Sequence, residues 1–247
     1  MPNWCECNLE VKSDNINNLN NFKNENKVND TIPLSFNKGV PRPIEEEDNW
    51  YSWNNSNWGT KWDINTDDTI INFENNILTY NFNAAWGPPI AWLSQISDKY
   101  NDITFVITFS EFGMDFAGKY VFLDGILIEE ENISCSEYYL KYTIDHNELI
   151  NSNINNFTKE IEIIKNNINI LLSERFNLIQ QMSVLPNELI EIIIQFVKND
   201  IVKGEYIKFF NSKIEEITEY NQEEWGIWDN DIIIDKVIPM IINSLNN

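Results

Sequence analysis

Three segments of this chain gather side chains that could hold or transform a ligand. Trp58-Gly59-Thr60-Lys61-Trp62-Asp63 sets a cation, a carboxylate and two indoles within six positions, enough to hold a small polar ligand or a peptide. The same residues could equally pack a long loop, with Lys61 lying across an indole while pairing with Asp63. Glu111 and Asp115 flank Gly113, and Asp63 approaching them in space would give a carboxylate pair for acid and base work. No histidine, serine elbow or glycine-rich phosphate cradle accompanies them, so catalysis is not the leading expectation and no catalytic residue is assigned. Cys5-Glu6-Cys7 offers two soft donors one residue apart, but only Cys135 and the sole histidine, His146, could complete a four-ligand site. Neither a metal nor a cofactor is expected.

A different chemistry lies in Leu185-Pro186-Asn187-Glu188-Leu189-Ile190-Glu191-Ile192-Ile193-Ile194-Gln195-Phe196-Val197, which resembles the opening of an F-box through Asp200-Ile201. The resemblance implies docking on the Skp-type adaptor of a cullin ubiquitin ligase. Leu185, Pro186, Leu189, Ile193 and Phe196 would then enter an apolar groove. The pattern that follows in an F-box is not evident in Lys203 to Thr218. A helix begun by Pro186 and packed in its own core accounts for the same residues.

The elements that must carry these groups follow from hydrophobic period. Cys5, Cys7, Leu9 and Val11 alternate with polar residues, predicting a strand with one buried face. Ser13 or Asp14 can cap a short helix bearing Ile16, Leu19 and Phe22. From Pro41-Arg42-Pro43 through Glu45-Glu46-Glu47-Asp48 to Trp50, Tyr51, Trp53, Trp58 and Trp62 no period is visible, and a long structured loop is expected. Leu78 to Phe82 alternate as a second strand, ending at Ala84-Ala85-Trp86-Gly87-Pro88-Pro89, where the prolines suit a helix entrance. Ile90 to Tyr100 form that helix, Ile103 to Phe109 a third strand, and Asp124-Gly125 the turn of a hairpin.

Beyond residue 150 the period becomes helical. Ile161, Ile164, Ile168, Leu171, Leu178 and Met182 make a stripe that Ile163, Ile170, Leu172 and Ile179 widen, as expected of a helix packed inside its own protein. Further helices are expected after Pro186, from Lys208 to Tyr220, and from Asp231 to Leu245 with Pro239 bending or dividing the last.

The net charge of −22 disfavours nucleic acid, whose phosphates the chain would repel. Residues 1 to 150 hold nine Lys or Arg against twenty-four Asp or Glu, so the acidity is concentrated there and a basic protein is a natural partner. No apolar run is long enough to span a bilayer and the start lacks a signal-like pattern, so a cytoplasmic chain with no membrane partner is expected. Three cysteines fit a reducing compartment better than a disulfide framework.

Asn3-Trp4-Cys5 with Asn8-Leu9, then Leu34-Ser35-Phe36, Pro41-Arg42-Pro43, Trp58 to Asp63, Ala84 to Pro89, Glu111-Phe112-Gly113 and Phe116-Ala117-Gly118 occur in an order that resembles uncharacterised phage and plasmid proteins with the YubB-type ferredoxin-like domain. The resemblance covers roughly residues 1 to 130 and implies a fold without an activity. The sequence therefore points to an α+β fold: a ferredoxin-like antiparallel sheet with helices on one face over residues 1–150, then an all-α subdomain over 151–247. It points to a protein-interaction module, with an F-box-like adaptor or an enzyme acting on a small polar ligand as alternatives. The candidate binding residues are Trp58, Thr60, Lys61, Trp62, Asp63, Trp86 and Glu111.

Overall fold

A computed structural model describes residues 3–64, 69–180, 187–227 and 229–246. The chain divides into two compact units, Met1–Tyr138 and Tyr139–Asn247. The division falls twelve residues before position 150, because Leu140 and Leu149 pack with the helical core and not with the sheet.

In the first unit, β1 (Trp4–Lys12), β2 (Ile70–Glu74), β3 (Ile77–Ala85), β4 (Thr104–Glu111), β5 (Phe116–Leu123) and β6 (Ile126–Ile133) form one antiparallel sheet in the order β2-β3-β1-β4-β5-β6. With α1 (Ile16–Asn26) after β1 and α4 (Ile90–Lys99) before β4, the first four strands make the βαββαβ ferredoxin-like arrangement, which the β5–β6 hairpin extends. The chain is thus α+β, as its alternating strand pattern indicates.

The alternation of β1 works as expected: Cys5, Cys7, Leu9 and Val11 are buried, and they share a core with Leu19 and Phe22 of α1 and Trp92, Leu93 and Ile96 of α4. The cap of α1 differs from expectation. Asn15 accepts from the Asn17 amide at 3.0 Å, while the Ser13 hydroxyl accepts from the Asn15 amide one step earlier.

Between α1 and β2 the expected loop contains ordered elements: α2 (Phe36–Gly39), a 3₁₀ turn at Ile44–Glu46 and α3 (Trp50–Asn57). The composition of α3, Trp-Tyr-Ser-Trp-Asn-Asn-Ser-Asn, has neither helix propensity nor a clean apolar period, so tertiary contacts must hold it. The short edge strand β2 was also absent from the sequence pattern. Positive φ at Asn75 and Asn76 turns it tightly into β3, as Asp124-Gly125 turns β5 into β6. A short helix, α5 (Cys135–Tyr138), closes the unit.

The second unit is all helical: a π turn at Tyr139–Thr143, α6 (His146–Asn156), α7 (Thr158–Gln180), α8 (Asn187–Ser212), α9 (Ile214–Trp225), α10 (Asn230–Ile232) and α11 (Ile238–Asn246). Ile161, Ile168 and Leu172 of α7 join its core, but Ile163, Ile170 and Leu178 are exposed. The stripe is therefore narrower than its sequence suggests. Continuous helix through Lys208 ends at Ser212, and Lys213 separates it from α9, which Gly226 terminates at φ 65°. A π turn at Ile233–Val237 precedes Pro239, so the chain loosens its helical ladder just before the residue that cannot donate to it. Deep in the core, Asn153 and Asn221 exchange amide hydrogen bonds of 3.0 and 2.9 Å. No helix among the described residues is long and apolar enough to cross a membrane.

If the first unit carries its own core, residues 1–138 produced alone should melt cooperatively with the near-ultraviolet dichroism of packed tryptophans. Aggregation, or a broad non-cooperative melt where the full chain melts sharply, would show that the helical unit completes it.

Candidate functional site

The insertion between α1 and β2 is fastened to the sheet by buried polar groups. Thr60 is 1% exposed, and its hydroxyl both donates to the Ala85 carbonyl at 2.9 Å and accepts from the Ala85 amide at 3.1 Å. Ala85 stands at the end of β3, so this exchange ties the loop to the sheet. Gly59, at φ 80°, lets the backbone turn within van der Waals reach of Ile90 and Ala91 on α4.

Asp63 closes the next link. Its carboxylate accepts from the Ser35 hydroxyl (2.7 Å), the Phe36 amide (2.6 Å), the Asn37 amide (3.3 Å) and the Ile64 amide (2.9 Å). These contacts consume its lone pairs on the first turn of α2. The expected pair with Lys61 is therefore not formed; the ammonium instead lies 4.3 Å from the Trp62 ring centroid and 5.7 Å from that of Tyr51. Trp58 is buried, donating its indole N–H to the Val40 carbonyl at 2.9 Å and meeting Trp53 edge-on. It packs the insertion and contributes little exposed surface.

These fastenings leave an open cleft of about 390 Å³ lined by Asn37, Arg42, Trp50, Asn54, Trp58, Trp62 and Asp63. Arg42 donates one guanidinium N–H to the Asn54 carbonyl oxygen at 2.9 Å, and its backbone amide bonds the Asn37 side chain at 2.9 Å. Asn54, buried, donates in turn to the Lys61 carbonyl at 2.8 Å. No carboxylate among the described residues forms an ion pair with Arg42. Arg42, Asn54 and Trp50 were not among the candidate site residues. One signal was available, since Arg42 is the only arginine in the first 174 positions and sits between two prolines.

From the cleft the surface continues to one end of the sheet. Trp62 lies 5.9 Å from Trp4, itself 43% exposed and paired in register with Ala85. The next residue, Trp86, is 50% exposed and held at φ 75°, with its amide donating to the Asn3 carbonyl at 3.0 Å. A bulky residue rarely adopts that backbone region. Glu111 is buried at the same end, and its two oxygens accept from the Gly113 and Met114 amides at 2.7 and 2.9 Å. It shapes the turn that carries Phe112 and Met114, 43% and 69% exposed. Gly113 stands so close to the Asn3 side chain that a Cβ there would collide with it. The structure thus brings Thr60, Trp62, Trp86 and Glu111 to one end of the sheet, while Lys61 lies over Trp62 and Asp63 holds the start of α2. It gives the two carboxylates structural partners on separate segments, and no acid–base pair forms. Asp115 is likewise engaged, accepting from the Cys135 amide at 3.0 Å.

The cysteines are all free and buried. Cys5 and Cys7 face the core with sulfurs 3.9 Å apart, and Cys135 donates toward the Glu111 and Phe116 carbonyls. Burial, reinforced by the neighbouring Cys5, holds the Cys7 thiol well above its ordinary value; burial and then the Asp115 charge push Cys135 up to about 12. His146 bonds the Leu140 carbonyl at 2.6 Å. Among the described residues no cluster of three or more His, Cys, Asp or Glu is placed to hold a metal ion. Of the F-box-like positions, Leu185 and Pro186 lie outside the described residues, as does the Leu189 side chain. Ile193 and Phe196 are on α8, 37% and 77% exposed.

Residues 57–153 match the family model described as the ferredoxin-like domain in Api92-like protein. The match includes the Trp58, Trp86 and Glu111 motifs and leaves β1 and Arg42 outside. It agrees with the fold and names no activity. A solved structure, the protein api92 from Yersinia pseudotuberculosis, is similar at 13% identity and a TM-score of 0.37. The similarity covers 42% of this chain and 41% of that one, so the chain spans about two fifths of the protein it matches. No curated protein matches.

Three measurements check this geometry. Thr60→Val keeps the shape but leaves both Ala85 groups without their buried partner, and should lower the unfolding free energy by about 1–3 kcal/mol; an unchanged urea midpoint would show that the fastening is dispensable. The thiols should resist a disulfide reagent at pH 8 until the chain unfolds. Because the folded Cys135 stays protonated toward about 12 while an unfolded thiol ionises near 8.5, its contribution is full below that pH and declines as pH rises. Cys135→Ala should flatten the alkaline loss of stability.

Proposed function

We propose that the first unit is a non-catalytic protein-interaction module whose contact surface runs from the Arg42 cleft across Trp62 and Trp4 to Trp86. The observation that carries the reading is the placement of Arg42. In a chain of net charge −22, a guanidinium with no ion-pair partner among the described residues is oriented by the Asn54 side chain, and its backbone is held by Asn37, in a cleft lined by Trp50 and Trp62. Arg, Trp and Tyr are the residue types that dominate binding energy at protein interfaces, because they combine large apolar area with fixed hydrogen-bond geometry.

The chemistry of the partner follows from the two scales of charge. At long range the acidic first unit favours encounter with a basic protein; at contact, Arg42 takes a carboxylate or a backbone carbonyl while the indoles cover an apolar side chain. Enzymatic chemistry is disfavoured because the carboxylates of the site hold backbone amides, all three thiols are buried, and burial raises those of Cys7 and Cys135.

The F-box-like adaptor is a second reading, supported by one observation: Phe196, 77% exposed on α8, offers an apolar anchor that its own unit leaves uncovered. The two readings separate in one experiment. The full chain, its Arg42→Ala and Trp86→Ala variants and a Phe196→Glu variant are used as baits in the native host cell, with partners read by mass spectrometry. Partners lost at least tenfold with R42A and W86A but kept with F196E support the module. A Skp-type adaptor lost only with F196E replaces it with the adaptor, and capture indifferent to R42A and W86A removes the proposed surface.

A further inference from the structure

The second unit contains a groove whose charge is opposite to that of the chain around it. A cleft of about 690 Å³ lies where α7, α8 and α11 meet. Its lining includes Lys165 from α7 and Lys198 and Lys203 from α8, and no Asp or Glu. That composition is conspicuous because residues 139–247 hold seventeen Asp or Glu against nine Lys or Arg. Lys165 pairs with Glu162 one turn back on its own helix at 3.0 Å. Lys198 and Lys203 have no carboxylate partner among the described residues.

Beneath the ammonium groups the groove is apolar. Ile168 and Leu172 are 5% and 8% exposed, and Val202 and Leu245 pack against the same core. Tyr206 also lines it. Burial raises the Tyr206 phenol, and the paired Lys165 and Glu162 act on it in opposite senses, the ammonium lowering it and the carboxylate raising it. Two asparagines, Asn169 and Asn199, supply the remaining polar groups.

We infer that this groove binds a long-chain fatty acid, its carboxylate held among Lys198, Lys203 and Lys165 and its alkyl chain laid along Ile168, Leu172 and Val202. Cation density over an apolar floor requires an occupant that is anionic at one end and apolar along its length. A polyanion meets only the first condition and is repelled by the acidic remainder of the chain. The volume lies within the range of small-molecule sites, and the lining residues run along the facing sides of α7 and α8, a shape that suits one extended chain. An acidic amphipathic helix would need a wider apolar trough than four side chains provide. This site is independent of the surface proposed for the first unit, and its test involves none of the same residues.

The test uses the full chain and oleate, followed by displacement of a fluorescent fatty acid and by calorimetry. One saturable oleate site is expected, with oleyl alcohol at least tenfold weaker and the oleate affinity falling as salt is raised. Lys198→Glu with Lys203→Glu should weaken oleate at least tenfold without loss of helical dichroism, since all three lysines are exposed at the rim. Val202→Trp, which fills the floor and keeps every charge, should abolish binding; it decides alone if the double variant misfolds. Absence of a saturable oleate site, equal binding of oleyl alcohol, or a folded variant that binds oleate within twofold of the parent overturns the inference. So does displacement of the probe by an acidic amphipathic peptide but not by oleate.

Discussion

The strand Trp4–Lys12 has to satisfy two hydrogen-bonded ladders at once, and everything in the first unit hangs from that constraint. Its register fixes Trp4 against Ala85 on one side and Glu6 against Ser110 on the other. A slip of one residue would turn Cys5, Cys7, Leu9 and Val11 out of the core and put Glu6, Asn8 and Glu10 into it. Because four buried apolar side chains oppose such a slip, the ends of the strand are placed as firmly as its middle. Several residues of the candidate surface attach at that end: Asn3 to Trp86, Trp4 to Trp62, Ala85 to Thr60 and Gly113 against Asn3.

A surface built from a loop normally trades precision for adaptability. Here the insertion is fixed by buried polar groups with few alternatives. Asp63 accepts four hydrogen bonds, Thr60 uses its hydroxyl in both directions, and Asn54 links Arg42 to the Lys61 carbonyl. Breaking any one leaves a desolvated group unmet, which costs more than the bond itself contributes. If the proposed contact surface is used, Arg42 and the indoles are already ordered, and the entropic cost of association is lowered accordingly. The candidate carboxylates are committed to structure as well: Asp63 accepts four hydrogen bonds on its two oxygens, and Glu111 accepts one backbone amide on each of its own.

How much of this could be read from the sequence depended on whether a residue's role was periodic. The faces of β1, β3 and β4, the Asp124-Gly125 hairpin and the helical character beyond position 150 all follow from period and turn chemistry. The helix Trp50–Asn57 did not, because its stability comes from Trp53 against Trp58 and from the bonds of Asn54. Thr60, Lys61, Trp62, Asp63, Trp86 and Glu111 were legible as chemically capable residues, but their roles were not: three of the four partners of Asp63 lie 26 to 28 positions upstream, and no spacing rule anticipates a carboxylate that caps a distant helix. Arg42 went unassigned for a related reason. A lone cation among acidic neighbours reads as a solvated charge until the structure shows Asn54 turning it into a tryptophan-lined cleft.

The exceptions to the charge of this chain explain more than the charge itself. A field of −22 is diffuse; beyond about 10 Å at 0.1 M salt its separate carboxylates no longer act individually. It governs solubility and the sign of an approaching partner, and it selects no shape. Selection needs a local charge that the general field does not cancel, held where water is partly excluded. Among the cleft's lining residues Arg42 faces only Asp63, whose oxygens are already saturated by hydrogen bonds; the groove of the second unit has no carboxylate in its lining. Lys165 is paired with Glu162, but Lys198 and Lys203 have no carboxylate partner among the described residues and Arg42 is held by an amide beside two indoles, so the attraction of these three cations is left for whatever enters. An acidic exterior around such a point also rejects polyanions while leaving a single carboxylate, carried on an apolar body, free to bind.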